Sequence, residues 1–253
     1  MKTGKTALIT GATAGFGEAC ATRFAKEGYN LVITGRRADR LEAFKSQLEK
    51  EYGIQVKTLA FDVRDNNAVK TALHSLEDSW KSIDVLVNNA GLALDLSTID
   101  EGNTDDWDTM IDTNVKGLLY VSRVVIPWMK ERKQGQIVNI GSTAAKTVYA
   151  KGNVYCASKA AVDALSQGMR IDLLLYNIKV TAVHPGAAET EFSLVRFKGD
   201  ENRAKDVYKG FTPLSAGDVA DVVYYCCSLP SHVCINDLVL TPTAQANAYY
   251  IHR

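Results

Sequence analysis

The chain has 253 residues, 29 basic and 29 acidic side chains, and 46% apolar residues. This length suits one large α/β domain or two small ones, and a net charge of zero offers no field to steer nucleic acid or an anionic membrane. No apolar run approaches bilayer length, and the five cysteines follow no metal-ligand spacing, so neither a membrane span nor a metal site is expected.

The opening Met1-Lys2-Thr3-Gly4-Lys5-Thr6 lacks the apolar core of a signal peptide. The neighbours Cys226 and Cys227 read as apolar helix residues, and a reduced cytoplasm is the expected home. Thr6-Ala7-Leu8-Ile9 has buried-strand character and ends at Thr10-Gly11-Ala12-Thr13-Ala14-Gly15-Phe16-Gly17. A helical stretch from about Gly15 to Glu27 follows, then a strand from Asn30 to Thr34. Strand, glycine-rich turn, helix, strand is the order of a dinucleotide fold, in which amides at a helix N-terminus receive a pyrophosphate. The spacing Gly-x-x-x-Gly-x-Gly is longer than the commoner one, and an ordinary flexible turn would use the same residues.

The second strand ends in Thr34-Gly35-Arg36-Arg37, with no acid to accept from a ribose hydroxyl. Guanidinium groups suit a 2′-phosphate, so Arg36 and Arg37 point to NADP; two solvated arginines at a helix start are the alternative. A helix from about Ala38 to Tyr52 and a strand from Gln55 to Phe61 lead to Asp62-Val63. Asp62 would meet an adenine amino group or cap the next helix, which spans about Asn66 to Trp80. The strand Asp84-Val85-Leu86-Val87 ends in Asn88-Asn89-Ala90-Gly91, where amide side chains tie backbone together and small residues leave room for a cofactor ring.

Thr104 to Arg132 reads as one long helix or two in line, with a kink expected at Pro127. Asn114 sits in its middle, where an asparagine bends the helix around a water or is simply tolerated. The strand Gln136 to Ile140 is followed by Gly141-Ser142 at its carboxyl edge, the edge where ligands bind in open parallel sheets. Ser142 there donates to a substrate carbonyl or only shapes a turn. The next helix, about Asn153 to Tyr176, carries Tyr155 and Lys159 on one face. An ammonium beside a phenol lowers the phenol's pKa, and moving it from about 10 to about 7 needs roughly 4 kcal/mol. A tyrosine so tuned exchanges protons with a substrate oxygen near neutral pH. The strand Lys179 to Val183 ends in His184-Pro185-Gly186, and the polar stretch 187–209 that follows suits a substrate lid. Helix Ala216 to Ser228 and strand Leu238 to Thr241 complete about seven strands alternating with helices, a single doubly wound parallel sheet in one domain over 1–253.

The glycine loop, Asn88-Asn89-Ala90-Gly91, Asn114, Ser142, Tyr155-x-x-x-Lys159 and Pro185-Gly186 stand in one order, and together they resemble the short-chain dehydrogenase/reductase family over nearly the whole chain. The resemblance implies that Tyr155 is the general acid/base and that Lys159 depresses its pKa and holds the nicotinamide ribose. It implies that Ser142 polarises the carbonyl and that Asn114 holds a water in a proton relay. It also implies that Gly11, Thr13, Ala14, Gly15, Phe16, Gly17, Asp62, Val63, Asn89, Ala90, Gly91, Pro185 and Gly186 contact the cofactor with Arg36 and Arg37.

The segments Asn88 to Leu94, Trp107 to Gly117 and 191–200, and the terminal His252-Arg253, look like bacterial NADP-dependent 3-hydroxy acid dehydrogenases, also described as serine or L-allo-threonine dehydrogenases. That group is implied to be homotetrameric. This chain departs from it at His184, where an acid or asparagine is more usual, and at Ala187-Ala188-Glu189-Thr190, which is one residue shorter and poorer in glycine. A carboxylated substrate needs a cation, for which Arg196 is the candidate, with Lys198, Lys151 and Arg253 as alternatives. Competing expectations are a reductase of neutral ketones or acyl intermediates, and a dinucleotide-binding regulator without catalysis.

Overall fold

Short apolar runs without polar alternation make strands buried on both faces, and helices between them cover those faces. The computed structural model describes residues 4–253. The expectation for Met1–Thr3 falls outside the described residues. In chain order the elements are β1 (Thr6–Ile9), α1 (Gly15–Lys26), β2 (Asn30–Gly35), α2 (Ala38–Tyr52), β3 (Val56–Ala60), α3 (Asn66–His74) and β4 (Val85–Asn88). They continue as α4 (Thr104–Ile111), α5 (Leu118–Arg132), β5 (Gly135–Ile140), α6 (Asn153–Leu173), β6 (Ile178–Pro185), α7 (Glu191–Arg196), α8 (Glu201–Asp206), α9 (Ala216–Ser228) and β7 (Asp237–Leu240).

The strands form one seven-stranded sheet in the order β3-β2-β1-β4-β5-β6-β7, every pair parallel. Alternate strand residues face opposite layers. Ile9, Ile33, Val87 and Val138 pack with Phe24 of α1, Leu41 of α2 and Val223 of α9. Leu8, Val32, Leu86 and Ile137 pack with Leu73 of α3, Val125 of α5 and Val162 of α6. The expected doubly wound sheet is therefore present. Reversal of strand order between β1 and β4 opens a crevice at the carboxyl edge.

One expectation about the helices needs correction. The helix expected to reach Trp80 stops at His74, because the chain turns at Ser75 to bury Leu76 and resumes only as a short 3₁₀ turn, Asp78–Trp80. The segment 104–132 is continuously helical but not regular: a π-helical turn, Asp112–Gly117, joins α4 to α5. The cause is Asn114. Its Oδ1 accepts from Leu92 N at 2.8 Å, and its Nδ2 donates to Leu92 O at 2.8 Å and to Ser158 Oγ at 2.9 Å. Three bonds made sideways outweigh the regular ladder of one turn. Pro127 does not end α5, which continues to Arg132.

The first glycine loop is shaped from below. Gly11 and Gly15 have φ of +68° and +56°, a region that side chains disfavour. Gly17 is buried, and a Cβ there would overlap the Gly11 carbonyl oxygen and the Asn89 amide. Gly17→Ala is therefore expected to push α1 off the loop and lower stability by about 1–3 kcal/mol, read by urea unfolding. An unchanged midpoint would show that the loop tolerates a methyl group.

Candidate active site

The crevice lies over the carboxyl ends of β1, β2, β4 and β5. Gly11, Thr13, Ala14, Gly15 and Phe16 line it on one side, with Arg36 and Arg37 at the end of β2. Asp62, Val63, Asn89, Ala90 and Gly91 form its floor, and Tyr155 and Lys159 close the other end. The β1–α1 loop is tied to β4 as the asparagine pair suggested. Asn89 Nδ2 donates to Thr10 O at 2.9 Å and Gly11 O at 3.2 Å, while Thr10 Oγ1 accepts from the amides of Asn89 and Ala90 at 3.0 Å. Gly17 does not line the crevice but packs beneath the loop, against the Gly11 carbonyl and the Asn89 amide.

At the outer end, Arg37 donates through Nη2 to Thr13 Oγ1 at 2.9 Å and to Thr13 O at 3.2 Å. Its other neighbour is Glu191, the first residue of α7, at 3.4 Å, and Glu191 also pairs with Arg40 at 3.2 Å. The end of β2 has no acid of its own, yet the fold delivers one from 154 residues downstream. No spacing in the sequence signals it. Asp62 does not cap α3. That task falls to Asp65, which accepts from Asn67 N and Ala68 N. Asp62 pairs instead with Arg64 at 2.7 Å, and although burial raises its pKa, the Arg64 hydrogen bonds pull it below the usual carboxylate range.

At the inner end, α6 presents Tyr155 and Lys159 to the edge of β5, both buried. Lys159 Nζ donates to Ile140 O at 2.9 Å. A Cβ on Gly91 would lie 3.4 Å from Lys159 Nζ and 3.2 Å from Asn114 Oδ1, so the β4 loop approaches both side chains closely there. Ser142 follows β5; its Oγ accepts from Ala144 N at 3.1 Å, and its hydroxyl is near enough to the Tyr155 phenol to favour the phenolate. The Asn114 amide bonds Leu92 and Ser158.

The electrostatics differ from the simple Tyr–Lys expectation. Burial pushes the Tyr155 phenol well above its ordinary range, and the nearby Tyr149 adds to the rise. The Ser142 hydrogen bond and the Arg196 charge pull it back without overcoming burial. Lys159 sits 6.0 Å from the Tyr155 ring centre, and burial lowers its own pKa to about 8.

Arg196, at the end of α7, has its guanidinium 5.4 Å from the centre of the Tyr155 ring and 5.5 Å from that of Tyr149. It donates to the Tyr149 hydroxyl, and its Nε is buried without a hydrogen-bond partner. Two of the alternative cations, Lys198 and Arg253, are engaged elsewhere. Lys198 pairs with Asp106 at 2.8 Å, and Arg253 donates to Lys209 O and Val207 O. Pro185 ends β6 and Gly186 follows it; neither lines the crevice. Gly186 N donates to Leu240 O at 2.7 Å, and Gln245 Oε1 accepts from Ala187 N at 2.7 Å. Gln245 went unnoticed in the sequence because a glutamine near the chain end carries no local signal. Its near-complete burial gives it away.

A family model described as "short chain dehydrogenase" matches residues 5–200. The chain is 47% identical over 248 residues to an NADP-dependent 3-hydroxy acid dehydrogenase of Salmonella typhi, covering 97% of this chain and 98% of that protein. It is 45% identical over 243 residues to a serine 3-dehydrogenase of Rhizobium radiobacter, covering 96% of each. Among solved structures, the closed form of a serine dehydrogenase complexed with NADP+ superposes with a TM-score of 0.91 at 45% identity, covering 98% of this chain and 99% of the other. A crevice at the strand reversal, a tied glycine loop and a buried tyrosine–lysine turn thus accompany a sequence match that spans most of the chain, which belongs to the short-chain dehydrogenase family.

Proposed function

We propose that this chain is an NADP-dependent oxidoreductase that interconverts a 3-hydroxy acid, such as serine, allo-threonine or 3-hydroxypropanoate, and its 3-oxo acid. The observation that carries this reading is Arg196, a guanidinium with an unpartnered buried Nε set against the ring of Tyr155. A carboxylate there would lie one short carbon chain from an oxygen held by Tyr155. The names of the relatives support the same substrate class.

The crevice fits a phosphorylated dinucleotide. α1 begins at Gly15, and its N-cap residue, Ala14, has no side chain to cap it, whereas α3 and α4 are capped by Asp65 and Asn103, so its first amide groups remain for phosphate. Arg36 and Arg37 would hold the 2′-phosphate, Asp62 and Val63 the adenine, and Asn89, Ala90, Gly91, Tyr155 and Lys159 the nicotinamide half, with Pro185 and Gly186 beside it. When bound, the dinucleotide accepts or donates the hydride. In oxidation, Ser142 and Tyr155 hold the substrate 3-hydroxyl, Tyr155 takes its proton, and the hydrogen on carbon 3 leaves as hydride, giving the 3-oxo acid. In reduction, the buried neutral phenol is already in the state that gives a proton. Asn114, in the widened turn, would hold the relay water. Residues 187–209, which include α7 and α8, act as the lid of a single domain over 1–253. A homotetramer is proposed, supported by exposed Ile171, Leu174 and Leu175 and by the groove between α5 and α6. No helix among the described residues is long and apolar enough to cross a membrane, and a cytoplasmic location is proposed.

Initial rates with L-serine, 3-hydroxybutyrate and a neutral ketone test the substrate class. Arg196→Ala should raise KM for the acids while sparing the ketone; equal losses on both would remove Arg196 from carboxylate binding. Arg37→Ala should weaken NADP more than NAD, since a guanidinium bond to a phosphate contributes about 1.5–3 kcal/mol. Lys159→Met should lose turnover and gain stability. Burial holds Lys159 at about 8 against an ordinary 10.5, so its charge costs the fold about 3 kcal/mol below pH 8, and the cost fades as pH rises to 10.5. Urea unfolding of both proteins across that range measures it, and a variant less stable than the parent at pH 7 would contradict it.

A further inference from the structure

His184, on β6 directly before Pro185, is fully buried behind the candidate site. Its ring packs so closely on Gly141 that a Cβ there would overlap it. Nδ1 lies 3.3 Å from Ser142 N and 3.2 Å from Ser142 O. The other nitrogen, Nε2, faces two carboxylates, 3.3 Å from Asp237 Oδ1 on β7 and 3.6 Å from Asp163 Oδ1 on α6. Asp163 is four residues beyond Lys159 on the same helix. Lys146 bridges both carboxylates, at 2.9 Å from Asp163 and in close contact with Asp237. Gln167 also bonds Asp163.

The ligand atoms of Asp163, His184 and Asp237 all lie within 4.8 Å of one another, a spacing that would suit a metal ion. The ammonium of Lys146 sits between the two carboxylates and offsets one of their two charges, so the cluster is a charge network of the protein itself. A neutral imidazole carries one N–H and one lone pair. Nε2 makes no hydrogen bond to either carboxylate, but their negative charge favours the hydrogen on that nitrogen, which leaves Nδ1 to accept from Ser142 N–H.

We propose that His184 is a positioning residue: its Nδ1 holds the Ser142 backbone in the setting that aims Ser142 Oγ at the Tyr155 hydroxyl and the substrate oxygen, and protonating the ring releases that hold. With a hydrogen on Nδ1, the contact with Ser142 N–H becomes donor against donor, and the ring turns to Ser142 O instead. The charged groups facing the ring are Lys146, Asp163 and Asp237. Burial lowers the His184 pKa, Asp237 raises it and Lys146 lowers it, so the neutral, holding form prevails at neutral pH and is lost in acid.

The proposal rests on the reading of Ser142 as a substrate-oxygen ligand, and its test separates the two. Long-range ¹H–¹⁵N spectra of the labelled full-length protein, followed from about pH 5 to pH 8, report tautomer and titration of each imidazole without substrate. His184→Gln assigns the signal. The Nε2–H tautomer and a midpoint below 6.5 are expected. Lys146→Met should raise the midpoint and Asp237→Asn should lower it. The acidic limb of the kcat profile should move with the midpoint in each variant. His184→Gln should remove the limb and reduce kcat about fivefold, the value of one hydrogen bond. An Nδ1–H tautomer at neutral pH overturns the proposal, as does a limb that stays in place while the midpoint moves. Should His184→Gln not fold, Lys146→Met and Asp237→Asn, both at partly exposed positions, decide it.

Discussion

An amine buried against the end of β5 is the constraint on which the rest of the site depends. Lys159 is 6% exposed and gives its hydrogen bond to Ile140 O, which fixes α6 over the sheet edge. Taking an ammonium out of water is costly, and the fold must hold it there by packing elsewhere. A line of buried polar side chains supplies part of that hold. Asn88 Nδ2 donates to Ser122 Oγ and to Asn139 Oδ1, and Asn139 Nδ2 donates to Ser166 Oγ. The line joins α5, β4, β5 and α6 at fixed register. A slip of one residue would leave these groups unsatisfied in the core.

The same logic governs the reacting residues. Tyr155 lies in a small apolar cluster with Ala93, Met110 and Cys156, which keeps its phenol neutral. Ser142 and Arg196 work against that burial, one by hydrogen bond and one by charge. The π-helical turn is part of this arrangement, since its Asn114 holds the Leu92 loop and Ser158, the residue next to Lys159.

Segments distant in the chain converge on the crevice. Gln245 holds the backbone after Gly186, Glu191 reaches the arginines that follow β2, and Arg196 covers Tyr155. α7 therefore touches both the phosphate end and the reacting end. His184 and the segment 187–190 lie where these contacts are made.

How much of this was legible in the sequence follows from the range of each interaction. Alternating apolar runs and helices dictated a parallel sheet, because strands buried on both faces need crossover helices. Gly11, Gly15, Tyr155 and Lys159 were readable because their roles depend on neighbours within one turn. Glu191 beside Arg37, Gln245 on Ala187 and the Asp163–His184–Asp237 network were not readable, since their partners lie far along the chain. The direction of the Tyr155 pKa also belonged to the tertiary structure. Local spacing predicts an attraction from Lys159, but only the folded core supplies the burial that outweighs it.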